Sequence, residues 1–182
     1  MKKLLLLTSV LAWISGVSAE EKPKLIVGVV ISHFYPEWMD MYGNELSENG
    51  LKRVMKQGAR VNVNYNYFYT QTGVDHASIY TGMLPTEHGI VSRAWYDRLR
   101  RKRQYSTQSD RYTEIGDQQA DSIKSLSPDY LQTMSLGSAM KWNNPMSRVF
   151  SIAMNGDEAV LSGGSSADMA IWFSEKTGKW VS

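Results

Sequence analysis

The stretch TQTGVDHASIYTG, residues 70–82, sets a threonine four residues before a histidine and closes on a Thr-Gly pair. Before it, VNVNYNYFY (61–69) alternates apolar residues with asparagine, the pattern of a half-buried strand. After it, GVDHASIY reads as the start of a helix. A strand delivering the chain into a helix at Thr72 points the helix's N-terminal amides and dipole at the junction, which favours an anion there. The same spacing has a plainer reading. Thr72 with Asp75 three residues on is close to a capping box, and capping threonines are common, so spacing alone favours the cap. His76 and His88 read on the same footing as structural or surface histidines.

Working outward, KLIVGVVI (24–31) is a nearly continuous apolar run ended by Ser32-His33, the pattern of a strand buried on both faces of a parallel sheet. A helix is expected from about Pro36, with Trp38, Met39 and Tyr42 on one side. Leu51, Val54 and Met55 predict a second, ending at Gly58. Residues 98–124 are polar and read as an irregular surface excursion. Ser127 and Pro128 carry N-cap and first-turn chemistry, predicting a helix there. RVFSIAM (148–154) reads as a buried strand, and AIWF, EKTG and KWVS (170–182) as a hairpin. Strands separated by helices predict an α/β fold with a mainly parallel sheet flanked by helices. Sites in such sheets form beyond the carboxyl ends of strands. Ser32-His33, Thr72 and Asn155-Gly156-Asp157 each follow a predicted strand, so one sheet edge is expected to carry them all.

The first nineteen residues, MKKLLLLTSVLAWISGVSA, have two lysines, an apolar core and a small-residue end, the pattern of a secretory signal peptide. Setting Lys2 and Lys3 aside from the 20 basic residues leaves 18, equal to the 18 acids. A chain of balanced charge has no global field to attract nucleic acid or anionic lipid. Cysteine is absent, so an exported chain must be held by its core, which suits the bacterial periplasm or another extracytoplasmic space. No later segment approaches a membrane span. The run RLRRKRQ (98–104) raises the question of a polyanion partner, but it is short and beside Asp97, and a solvated basic loop accounts for it. No nucleic-acid partner is expected.

Three segments, KPKLIVGVVISHF, TQTGVDHASIYTGMLPTEHGIVSRAWYD and SSADMAIWFSEKTGKWVS, together resemble the type I phosphodiesterase/nucleotide pyrophosphatase branch of the alkaline phosphatase superfamily, most closely its exported bacterial alkaline phosphatase-like members. The ordered set Thr72, His76, Thr81-Gly82, Pro85 and His88-Gly89-Ile90 makes the resemblance specific. It implies an alkaline phosphatase-like domain over residues 20–182, incomplete at the C-terminus and amounting to about the first third of such a protein. It also implies a two-zinc phosphoesterase acting on a phosphate ester or another small anion. Thr72 takes the place of the nucleophile, which is also a metal neighbour.

The resemblance carries departures at the chemical positions. Ser32 stands where the family has a metal-binding aspartate, and a neutral hydroxyl is a much weaker ligand than a carboxylate. His33 is the adjacent candidate, though neighbours on an extended chain point to opposite sides. Arg93 stands where the family has an asparagine that contacts phosphate; its fork of donors suits phosphate, or could fill the pocket. Asn155-Gly156-Asp157 replaces a Lys-x-Arg pair that steadies phosphate oxygens, so Asp157 brings negative charge where positive charge is wanted. Two functions stay open. One is metal-dependent phosphate-ester hydrolysis through Thr72, with a phosphodiester favoured over the more highly charged monoester. The other is a catalytically degraded relative serving as an envelope binding or structural protein.

Overall fold

The computed structural model describes residues 23–116 and 124–182, so the signal peptide expected at 1–19 lies outside the described residues. The chain divides into two units, Met1–Asn62 and Val63–Ser182.

The first unit holds helices α1 (Glu37–Tyr42) and α2 (Leu51–Gln57), near where helical spacing predicts them. The expected first strand is absent. Residues 24–31 enter no ladder, and Leu25, Ile26, Val27, Val29, Val30 and Ile31 are exposed. An apolar run becomes a buried strand only when neighbours take up its backbone groups, and no described residue does so here.

The second unit carries the core. Helix α3 (Thr72–Thr81) leads through Gly82, in the left-handed region at φ 68°, to the short helix α4 (Pro85–His88). Strands β1 (Ala94–Asp97) and β2 (Lys102–Tyr105) form an antiparallel hairpin, and β3 (Gln108–Thr113) pairs antiparallel with β4 (Lys124–Leu126). Helix α5 (Leu136–Asn143) precedes a βαβ unit of β5 (Phe150–Ala153), α6 (Gly156–Gly163) and β6 (Met169–Ser174). Strand β5 pairs parallel with β6 from Phe150↔Met169 to Ala153↔Trp172, and β6 turns back antiparallel into β7 (Lys179–Val181). The α/β class and the closing hairpin agree with the sequence. Parallel pairing among the described residues is confined to β5 and β6.

Helix α6 organises the packing, with apolar side chains on two sides. Leu161 joins Val74, Ala77 and Ile90 beneath α3, while Ala159 and Val160 join Trp172 and Val181 against the sheet. Each cluster buries four apolar side chains almost completely, and burial at roughly 1.5–3 kcal/mol per large side chain makes α6 the element that ties helix to sheet. Gly156 permits this closeness. A Cβ there would clash with Leu126 Cδ1 and lie 3.3 Å from the Trp172 ring.

Three further expectations change. Residues 61–69 form no strand; Tyr67 instead packs on the α3 cluster, and its hydroxyl donates to Asp75 Oδ1 at 2.8 Å. Among the described residues of the polar stretch 98–124, Lys102–Tyr105 and Gln108–Thr113 are strands, and Gln104, Ser106, Thr107 and Ser109 are buried. Their hydrogen bonds explain the burial: Gln104 Nε2 donates to the Tyr105 carbonyl and Ser109 Oγ to Asp129. The helix expected from Ser127 begins instead at Leu136. Ser127 Oγ accepts from the Asp129 N–H in a local turn, whereas the buried Ser135 Oγ accepts from Ser138 N–H and caps α5.

Candidate functional site

Thr72 is not the cap that spacing favours. Gln71 holds the N-cap position in extended backbone (φ −145°, ψ 146°), Thr72 is the first helical residue, and no side chain caps the end. Asp75 takes the Tyr67 hydroxyl instead. Burial first, then the Asp75 carboxylate, push the Tyr67 phenol up to about 12, so it stays a donor at neutral pH. The first intrahelical bond is from Asp75 N–H to the Gln71 carbonyl at 2.8 Å. The N–H groups of Thr72, Gly73 and Val74 therefore have no partner within the helix.

The first two of these residues line a cleft of about 490 Å³, together with Gln71, Arg93, Leu126 and the start of α6 from Asn155 to Glu158. Thr72, Arg93, Asn155 and Asp157, far apart in sequence, thus meet at one place. The path of the chain explains why. Thr72 opens α3, Asn155 ends the β5 crossover into α6, and the two helices pack so closely that a Cβ on Gly73 would lie 3.3 Å from Leu161 Cδ1.

Arg93 is fixed at its backbone from both sides. Its N–H donates to Gln71 Oε1 at 2.7 Å, and its carbonyl accepts from Ser106 N–H at 3.0 Å. Its side chain, largely exposed, sets Nε 3.6 Å from Asp157 Oδ2, an ion pair rather than a hydrogen bond. Asp157 Oδ1 accepts from the hydroxyl of Thr107, which is 1% exposed. Asn155 Nδ2 donates to Glu158 Oε1 at 2.7 Å. Three of the positions that depart from the family pattern, Arg93, Asn155 and Asp157, are therefore engaged by local partners, and Arg93 already has a carboxylate beside it.

The histidines are structural. His88 is fully buried; the Ile90 N–H donates to its Nδ1, so Nε2 carries the proton and donates to Ser78 Oγ at 2.9 Å. His76 is buried at the edge of the Tyr80 ring. Burial lowers both below the ordinary 6.5, holding them neutral.

Ser32 and His33 sit in an exposed turn of the first unit, and His33 adopts φ 56°, so the extended geometry expected of the pair does not hold. Among the described residues no group of three or more His, Cys, Asp or Glu side chains could hold a metal ion. The two-zinc donor set implied by the resemblance is not assembled among them. Sequence reasoning missed Gln71, Ser106 and Thr107. Gln71 lay inside the quoted stretch, but only the fold shows its amide reaching Arg93.

Residues 26–179 match the family model for type I phosphodiesterase / nucleotide pyrophosphatase. Alkaline phosphatase PafA of Elizabethkingia meningoseptica is 31% identical over 90% of this chain and 30% of its own length. Alkaline phosphatase PhoV of Synechococcus elongatus is 28% identical over 88% of this chain and 29% of its own. The chain thus spans about three-tenths of these relatives. The crystal structure of wild-type PafA superposes with a TM-score of 0.82 at 30% identity, covering 90% of this chain and 32% of that one. A PafA variant with one threonine, one asparagine, one lysine and one arginine replaced superposes equally well, at 29% identity. With the family model covering most of its length and the PafA fold reproduced over nearly all of it, the chain belongs to the type I phosphodiesterase/nucleotide pyrophosphatase family and has an alkaline phosphatase-like fold.

Proposed function

We propose that this chain carries the nucleophile of an exported phosphoric ester hydrolase, and that Thr72 Oγ is the attacking atom. One observation supports this most: Thr72 heads α3 without serving as its cap, its residue exposed on a cleft also lined by Gly73, and the N–H groups of both lack intrahelical partners. With no capping bond to make, the Thr72 hydroxyl is available to a group bound in the cleft. The four residue types replaced in the PafA variant are also those the resemblance sets at the positions of Thr72, Arg93, Asn155 and Asp157.

The amides at the head of α3 and the Arg93 guanidinium receive the phosphoryl oxygens. Attack by Thr72 Oγ forms an O–P bond as the ester oxygen leaves, with the threonine proton ending on the leaving alcohol. Water then attacks the phosphothreonine, returning Thr72 and releasing the phosphate product. Asp157 adds negative charge to the cleft, so a phosphodiester with one charge is the better substrate than a dianionic monoester. Zinc activation of the hydroxyl is what the family resemblance implies, with ligands beyond the described residues of this chain.

The pairing of Arg93 with Asp157 and of Asn155 with Glu158 favours a second reading, a family member that retains the fold and an anion cleft without turnover. Assay of the full-length protein with zinc on aryl phosphate diesters and monoesters separates the two. The hydrolase reading expects diester turnover that falls at least about 10³-fold in Thr72→Ala, the scale of losing a nucleophile. Turnover indifferent to that substitution, or none in the wild type, rejects it.

A further inference from the structure

The β2–β3 connection touches both halves of the cleft's ion pair through consecutive residues. Ser106 N–H donates to the Arg93 carbonyl at 3.0 Å, and Thr107 Oγ donates to Asp157 Oδ1. Both residues are about 1% exposed, and Thr107 is itself anchored because its carbonyl accepts from Ser127 N–H at 2.7 Å. Gln71 holds the Arg93 N–H from the opposite side. A carboxylate at the head of a helix could swing into solvent. This one is tied at one oxygen by a buried hydroxyl and faces a guanidinium with the other.

We infer that Asp157, latched by Thr107, is the charge filter of the Thr72 cleft: a fixed internal anion that admits singly charged phosphate groups and repels doubly charged ones. The inference rests on reading this cleft as an anion site, but it does not require turnover. Arg93 Nε faces Asp157 only at ion-pair distance and its side chain is 76% exposed, so the outer edge of the guanidinium remains open to a ligand. A diester group can share Arg93 with Asp157, because their summed negative charge is modest and the α3 amides contribute. A monoester dianion meets a carboxylate that cannot withdraw. Thr107 is a positioning residue here, since it acts through Asp157.

The test measures binding of phenyl phosphate, a dianion at pH 8, and of diphenyl phosphate, a monoanion, to the full-length protein by calorimetry. Both are measured in a Thr72→Ala background so that neither is consumed. Asp157→Asn should tighten the dianion about tenfold and the monoanion about threefold, the asymmetry expected when one fixed charge is removed, since the Coulomb energy scales with the ligand's charge. Thr107→Val should move the ratio the same way by a smaller factor, and Thr107→Ser, which keeps the hydroxyl, should restore it. Circular dichroism melting of each variant checks that the fold persists. An unchanged dianion-to-monoanion ratio in Asp157→Asn overturns the inference, as does failure of both anions to bind that variant. If Thr72 proves dispensable for hydrolysis while the ratio shifts, the hydrolase reading fails and the filter stands.

Discussion

Two helices begin at the same cleft, and they begin differently. Helix α3 opens with Thr72-Gly73-Val74, uncharged and uncapped by any side chain. Helix α6 opens with Gly156-Asp157-Glu158, with two carboxylates in its first turn. A helix N-terminus carries roughly half a positive charge that something negative must satisfy. At α6 two carboxylates near the helix start supply that charge, whereas at α3 the single first-turn carboxylate, Asp75, stands fourth in the helix and takes the Tyr67 hydroxyl, leaving the three residues ahead of it uncharged. The pair teaches that the cleft is asymmetric by construction, with two carboxylates at the start of α6 and none among the first three residues of α3.

The contrast extends to packing, where the largest effect is expected. Gly156 lies under Leu126 and Trp172, and an added Cβ must displace the Leu126 side chain; at Gly73 it would meet Leu161 Cδ1 at 3.3 Å and Asp157 Cβ at 3.9 Å. Gly156→Ala should cost about 2 kcal/mol, the range of overpacked cores, and Gly73→Ala less than about 1 kcal/mol. Urea unfolding of the two variants reads the difference. Equal costs would break the claim that α6 is the tightly seated member.

Acid should sharpen the contrast next. Helix α3 carries His76 and bonds His88 through Ser78, whereas α6 has no histidine. Both histidines have folded pKa values depressed by burial, so between those values and 6.5 the unfolded chain binds more protons than the folded one. Their contribution to stability is complete above 6.5 and is lost as pH falls through the folded values. Hydrogen exchange, corrected for intrinsic rates, should show α3 opening more readily as pH drops below 6.5 while α6 changes less. Equal acid sensitivity in both helices would contradict this.

A smaller effect is expected at the base of Arg93. Gln71→Ala removes the acceptor for the Arg93 N–H and the Ser92 hydroxyl. The expected loss is about 1 kcal/mol, the net worth of such bonds, measured as a lower urea midpoint. It should come with a weaker anion response at Arg93. A stability loss with no change in anion binding would remove Gln71 from the cleft's design.

How much of this the sequence showed depends on whether a signal was local. Helix α3, the β5 strand and the β6–β7 hairpin were legible because spacing or an apolar run fixes them within a few residues. Strand β5 was expected to be buried, however, and its Phe150 and Ile152 are exposed, since its apolar run does not show which face is covered. The runs at 24–31 and 61–69 looked like strands for equally local reasons. A strand needs partners, however, and no described residue pairs with either run. Thr72, Arg93 and Asp157 were each suspected from the family pattern, yet not their mutual pairing, because an ion pair across more than sixty residues is a property of the fold. Thr107 gave no signal, since a serine- and threonine-rich stretch looks the same whether solvated or buried and bonded.

The central claim is that the open head of α3 exists so that Thr72 can take a phosphoryl group. Acid quenching of the zinc-supplemented full-length protein during turnover of an aryl phosphodiester, followed by peptide mass spectrometry across residues 70–82, tests it most directly. The account predicts a covalent phosphoryl adduct on Thr72 that is absent from Thr72→Ala. Steady hydrolysis with Thr72 unmodified at every quench time, and undiminished in Thr72→Ala, would contradict it.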